Sequence, residues 1–212
     1  MSFFVSRAVA PASSPQTCQD RADVFARGDV AVLAVADGAG GLGDGAKAAD
    51  VVLERVRDAV LDTTFDLLSV ARWRELLADT DRELEGIGET TAVVVVLADG
   101  MSICAAAGDS EAWLVGASSV TKLTANADRR RLGSGLARPT STAHPAHPAL
   151  RERLVVATDG LFRHVAEARI LEIANAEPVL RAANALAEST RLPSGERPDD
   201  VAVLVAEPQE RG

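Results

Sequence analysis

Aspartates recur in this chain at the ends of apolar runs. Asp37 closes VAVLAVA in ADG, Asp159 closes LVVAT in TDG, and Asp199 and Asp200 stand directly ahead of VAVLVA. Asp109 lies in a GDS turn, and Asp20, in CQDRADVF, precedes another short apolar segment. In an antiparallel pair the C-terminal end of one strand adjoins the start of its neighbour. Carboxylates that end two strands and begin a third, Asp199 or one register later Asp200, can therefore share one sheet edge, with Asp109 and Asp20 in reach of the same rim. Such a cluster repels itself unless cations neutralise it. Oxygen ligands with no cysteine or histidine nearby favour magnesium or manganese over zinc. Two ions bridged by one carboxylate would acidify a shared water and clamp a phosphate for in-line attack.

The segment from Val30 to Val52 also permits a second reading, since Gly38, Gly40 and Gly43 spell the G-x-G-x-x-G of a dinucleotide-binding turn. That turn needs a second parallel strand ending in an acidic residue about 20 positions on. Two helix-like segments follow Gly43 instead, which favours the metal reading. The glycines after Asp37 and Asp159 would then keep Cβ atoms away from the ion. His144 and His147 have a ligand-like spacing only on a helix, and the prolines after them predict a surface loop. His164 lines the start of a helix after TDG. Val24 and Ser110 occupy the sixth positions after Cys18 and Cys104, so neither cysteine begins the C-x-x-x-x-x-R of a cysteine-nucleophile phosphatase. Arg129, Arg130 and Arg131 read as a solvated face that is also suited to an acidic phosphopeptide.

These residues need a scaffold. Val30 to Ala36 has the length and β-branched content of a strand covered on both faces. Ala46 to Leu61 reads as an amphipathic helix, and residues 65 to 85 as a second. From Thr90 the apolar runs on either side of Asp99-Gly100 predict a hairpin. Glu111 to Val115 and Val120 to Leu123 extend it into an antiparallel meander. Thr124 to Pro148 reads as a loop. A strand at Leu154 to Thr158, helices near Glu167 to Asn175 and Val179 to Ser189, and a strand from Val201 to Ala206 complete the pattern.

With 212 residues, 47% hydrophobic and 25% charged, the chain has the composition of a single globular domain. A net charge of −9 argues against nucleic-acid binding. The N-terminus makes a poor secretory signal, and no apolar run approaches the roughly 20 residues that span a bilayer. Two cysteines outside any C-x-x-C pair fit a reduced cytoplasm. Monomer is the default for the oligomeric state.

Taken in order, ADGAGG at 36 to 41, GETTAV at 88 to 93, AAGDSEAWLV at 106 to 115, ATDGLF at 157 to 162 and PDDVAVLV at 198 to 205 resemble the motifs of metal-dependent protein phosphatases of the 2C type. The resemblance runs from about Gln19 to Val205. It implies an α+β fold, a four-layer α-β-β-α sandwich of two packed antiparallel sheets flanked by helix pairs, with residues 1–212 as one catalytic domain. It further implies hydrolysis of phosphoserine or phosphothreonine in phosphoproteins with two manganese or magnesium ions. Asp37 would bridge the ions, Gly38 would offer its carbonyl, and Asp159 and Asp199 would bind the first ion. Asp109 matches an aspartate that helps hold a third, looser ion in bacterial members, and Asp20 matches the aspartate of the N-terminal motif. The chain departs from the family in three places. Thr17-Cys18-Gln19-Asp20 replaces the usual Asn-Glu-Asp or Asn-Gln-Asp without a phosphate-gripping arginine a few residues upstream, Arg7 being the nearest. Ala39 stands where eukaryotic members carry histidine. The segment between Leu123 and Leu154 is short, as in a compact bacterial-type member. The alternative is a catalytically weak phosphatase-fold module that binds a phosphoprotein or signalling partner.

Overall fold

The computed structural model describes residues 3–14, 17–39, 43–145 and 152–209. It begins with strands β1 (Phe3–Ala10), β2 (Asp20–Arg27) and β3 (Val30–Ala39), then helices α1 (Gly45–Leu61) and α2 (Val70–Glu83). Strands β4 (Glu89–Thr90), β5 (Ala92–Ala98), β6 (Met101–Ala107), β7 (Glu111–Val115), β8 (Val120–Lys122), β9 (Thr140–Pro145) and β10 (Arg153–Ala157) follow. Helices α3 (Asp159–Phe162), α4 (Glu167–Ala176) and α5 (Val179–Ser189) lead to the last strand, β11 (Val201–Pro208). No helix among the described residues is long and apolar enough to cross a membrane.

The strands form two antiparallel sheets, ordered β1-β11-β10-β7-β8 and β2-β3-β5-β6-β9, with β4 paired to β3. Side chains alternate along a strand, so an all-apolar strand feeds two cores. On β3, Leu33 and Val35 enter the core between the sheets, while Val32, Ala34 and Ala36 face α1 and α2. On β11, Ala202 and Leu204 meet the same inter-sheet core, and Val201, Val203 and Val205 pack beneath α4 and α5. The result is the expected four-layer α-β-β-α sandwich.

Helix α1 buries Ala48, Ala49, Val52, Val56, Ala59 and Val60, a stripe at helical spacing, and the Asp44 side chain caps it by accepting from Lys47 N. Helix α2 starts at Val70, later than the apolar pattern from residue 65 suggests, because Ser69 caps it and Asp66 holds the preceding turn. Phe65 and Leu67 are nevertheless buried, through Trp73: its Nε1 donates to Leu67 O at 2.8 Å and its ring meets Phe65 edge-on.

Two sequence expectations are corrected. The block after Thr90 is no single meander: β5 and β6 form the Asp99-Gly100 hairpin in one sheet, whereas β7 and β8 belong to the other. The chain changes sheets at Gly108, in the left-handed region with φ +94°, where a Cβ would stand 2.6 Å from the Thr91 side chain. The expected loop from Thr124 to Pro148 contains β9, a polar edge strand paired to β6, and His144 lies in it. His147 and Gly40 lie outside the described residues. The N-terminal residues, which carry no obvious periodic pattern, form β1 against β11.

Between β8 and β9 the chain is gathered by the buried Asp81 of α2. Its carboxylate accepts from Gly133 N at 2.7 Å, Gly135 N at 3.2 Å and Ala137 N at 3.2 Å. Replacing Asp81 with Ala would leave these N–H groups without their acceptor, at a cost of about 3 kcal/mol. A clear drop in the urea unfolding midpoint is expected; an unchanged midpoint would mean that water serves this loop equally well.

Candidate metal centre

Strand periodicity puts Asp37 on the inter-sheet face of β3 with Leu33 and Val35, and strand register makes Asp20 of β2 its cross-strand partner. Asp109 sits at the crossing from β6 to β7, and Asp159 opens α3 directly after β10. One carboxylate oxygen each from Asp37, Asp109 and Asp159 gather within 4.8 Å of one another. The carboxylates therefore meet where two sheets face each other, Asp37 from one and Asp159 from the other, rather than along a single sheet edge.

The main chain at Asp37 is fixed on both sides. Its N–H donates to Thr91 Oγ1 at 3.0 Å, and its carbonyl accepts from Thr91 N at 2.9 Å and Thr90 Oγ1 at 3.0 Å. Thr91 Oγ1 also bonds Ser110 Oγ at 2.6 Å, next to Asp109. The Thr90 backbone exchanges hydrogen bonds with Leu132, just beyond Arg131. GETTAV thus works by positioning its neighbours. The sign available in sequence was a pair of threonines at the mouth of a wholly apolar strand.

Asp20 lies behind Asp37 and is 2% exposed, accepting from Thr158 Oγ1 at 2.6 Å across the two sheets. Asp199 lies outside the tight cluster, although its charge helps raise both Asp37 and Asp159. Asp200, the one-register alternative, is committed to structure: its two oxygens accept from Ala12 N and Gln19 N, each at 2.7 Å. Gly38 pairs with Thr90 and donates its N–H to Gln19 O at 3.3 Å. The expectation that glycines clear a path for the ion is replaced by a packing reason. A Cβ on Gly38 would collide with Gly45 O at the start of α1, and one on Gly160 with Asp200 O. Arg7 pairs with Asp23 and Arg21 with Asp50, so neither N-terminal arginine is free to grip a phosphate. His164 is exposed.

Burial raises Asp37, Asp20 and Asp159 above the usual carboxylate range. With Asp37 beside it, Asp20 is pushed up to about 9, against the pull of Thr158. Burial and the charges of Asp37 and Asp109 push Asp159 to about 6, with Arg163 opposing. For Asp37, a hydrogen bond with Asp20 and the charge of Arg131 offset part of the rise. Asp109 Oδ1 and Asp159 Oδ2 are buried without a hydrogen-bond partner. Asp159 Oδ2 nevertheless lies 2.6 Å from the Arg163 guanidinium, whereas Asp109 Oδ1 has no such contact. Carboxylate oxygens gathered from three residues suit a hard cation such as magnesium or manganese.

The architecture is the fold of several bacterial serine/threonine phosphatases of known structure. In particular, the catalytic domain of the serine threonine protein phosphatase PstP, solved with two manganese ions, is 22% identical and superposes over 97% of each chain with a TM-score of 0.80. The S. agalactiae serine/threonine phosphatase is 18% identical, matches over 98% of this chain and 100% of its own, and has a TM-score of 0.85. Stp1 from Staphylococcus aureus is 15% identical over 99% and 96%, with a TM-score of 0.84. No family model and no curated protein matches the sequence, so the likeness is one of fold.

In chelator, the raised carboxylates make the folded protein hold protons that the unfolded chain releases. Their contribution to stability is then full below about pH 4, the ordinary carboxylate value, and is lost as pH rises toward the folded values of about 6 for Asp159 and about 9 for Asp20. Thermal melts in EDTA are expected to give midpoints that fall across this window. Manganese should restore most at the alkaline end, and a midpoint that rises with pH in EDTA would contradict the cause assigned to these shifts.

Proposed function

We propose that this chain is a metal-dependent serine/threonine protein phosphatase of bacterial type, hydrolysing phosphomonoesters of phosphoproteins. The observation that carries this reading is the convergence of Asp37, Asp109 and Asp159, with Asp109 Oδ1 buried and unpartnered, on the fold of known phosphatases. Asp37, Asp159 and Asp199 would hold two manganese or magnesium ions, with the Gly38 carbonyl, and Asp20 would support Asp37 from behind. When bound, the ions would supply a water acidic enough to attack phosphorus near neutral pH, and positive charge for the phosphoryl oxygens.

The protein's own groups do the rest. Thr90 and Thr91 hold the Asp37 backbone still, so its carboxylate stays oriented while charge builds on the phosphoryl group. Asp200 ties the segments around Ala12 and Gln19 to the start of β11, keeping Asp199 beside the centre. Arg131, whose charge acts on Asp37, is the member of the arginine run suited to meeting a substrate phosphate, whereas Arg130 is engaged with Asp128. Ala39 offers no proton to the leaving serine or threonine oxygen, so water supplies it. Two free cysteines fit a reduced, cytoplasmic setting. The substrate would be a protein that a kinase has phosphorylated.

The commitment of Arg7 and Arg21 to other carboxylates favours one second reading, a phosphatase-fold module that binds a phosphoprotein with little turnover. The two readings separate on a phosphothreonine peptide assayed with manganese, with magnesium and with EDTA. For an enzyme, phosphate release depends on the metal and falls about 10²-fold or more in Asp159→Asn. A folded protein with no turnover in any metal, and peptide affinity unchanged in Asp159→Asn, would establish the binding module instead.

A further inference from the structure

Arg163 places a permanent positive charge on the rim of the acidic centre. It lies four residues after Asp159, on the turn that ends α3, where Arg163 N bonds Asp159 O at 2.9 Å. Its Nη2 donates to Asp109 Oδ2 at 2.7 Å and stands 2.6 Å from Asp159 Oδ2, without hydrogen-bond geometry to the latter. The Arg163 side chain is 54% exposed, whereas Asp159 is 8% exposed and Asp109 21%. The guanidinium thus approaches from solvent and spans two carboxylates that rise from different segments of the chain.

A guanidinium keeps its proton at every working pH, and it cannot leave as an aquated ion can. Its charge offsets the mutual repulsion of Asp109 and Asp159, and it repels any further dication brought to the same pair. Asp109 Oδ1 remains without a hydrogen-bond partner, in a carboxylate that gathers with those of Asp37 and Asp159. Asp109 therefore keeps one oxygen for a metal while the other is already neutralised by Arg163.

We propose that Arg163 is a built-in counter-cation that takes the place of a third metal ion between Asp109 and Asp159, so that this centre fills with two ions. This rests on the phosphatase reading of the site, and it makes Arg163 a residue that sets metal stoichiometry. It predicts a change in how many ions bind, and at what concentration, independently of turnover.

The test is manganese binding to the metal-stripped full chain, counted by equilibrium dialysis and by the loss of the free Mn2+ electron paramagnetic resonance signal. The wild type is expected to take up about two ions, and Arg163→Ala about three, the added one being the weakest. Arg163→Lys, which keeps the charge, should stay near two. Arg163 is exposed, and circular dichroism melts would verify that each variant is folded. Three ions on the wild type, or the same count in wild type and Arg163→Ala, would overturn the proposal while leaving the metal centre intact. No manganese on any of the proteins would overturn the metal centre itself, and the proposal with it.

Discussion

Carboxylate oxygens of Asp37, Asp109 and Asp159 stand within 4.8 Å of one another where two sheets face each other. Two like unit charges about 4 Å apart repel by about 1 kcal/mol in water and by about 4 kcal/mol in the intermediate dielectric of a protein surface. A cluster with Asp20 and Asp199 beside it would drive the sheets apart unless the charge were met. The protein meets it partly with protons, as the raised values of Asp20 and Asp159 record, and partly with Arg163 and Arg131. A cation among Asp37, Asp109 and Asp159, where Asp109 Oδ1 has no hydrogen-bond partner, is the remaining means.

Holding such a cluster requires a stiff frame, and the frame is the inter-sheet core. Leu33, Val35, Val93 and Val95 from one sheet interlock with Leu154, Val156, Ala202 and Leu204 from the other. The polar groups at its end continue that join in hydrogen bonds: Thr158 reaches Asp20, Asp200 reaches Gln19, and Thr91 reaches both Asp37 and Ser110. Each of these bonds crosses between strands or between sheets. Displacing one sheet would break several together, so rigidity in the core becomes precision at the carboxylates.

Glycine serves the same end by a different route. Gly38 lets α1 start against the strand that carries Asp37, and Gly160 lets α3 start against the Asp200 carbonyl. In both places backbone meets backbone too closely for a side chain. The aspartate-glycine pairs thus reflect packing at the ends of strands, with the site's chemistry resting on the carboxylates beside them.

The sequence by itself determined the elements with strong periodicity and the residues that punctuate them. Wholly apolar runs such as AVVVVLA announced buried strands, the Asp99-Gly100 turn announced its hairpin, and the alanine and valine stripe of α1 announced a helix, because these signals are local. The aspartates that end apolar runs were legible for the same reason. Tertiary structure alone decided that β7 leaves the sheet of β6, that polar β9 pairs as an edge strand and that β1 pairs with β11, since those choices depend on partners far away in the chain. It also decided which of two adjacent aspartates is structural: the oxygens of Asp200 are taken by the N–H groups of Ala12 and Gln19, 188 and 181 residues away. Nothing in the local text marks Arg163 as a partner of Asp109, 54 residues before it, because a pairing between distant charges exists only once the fold has brought them together.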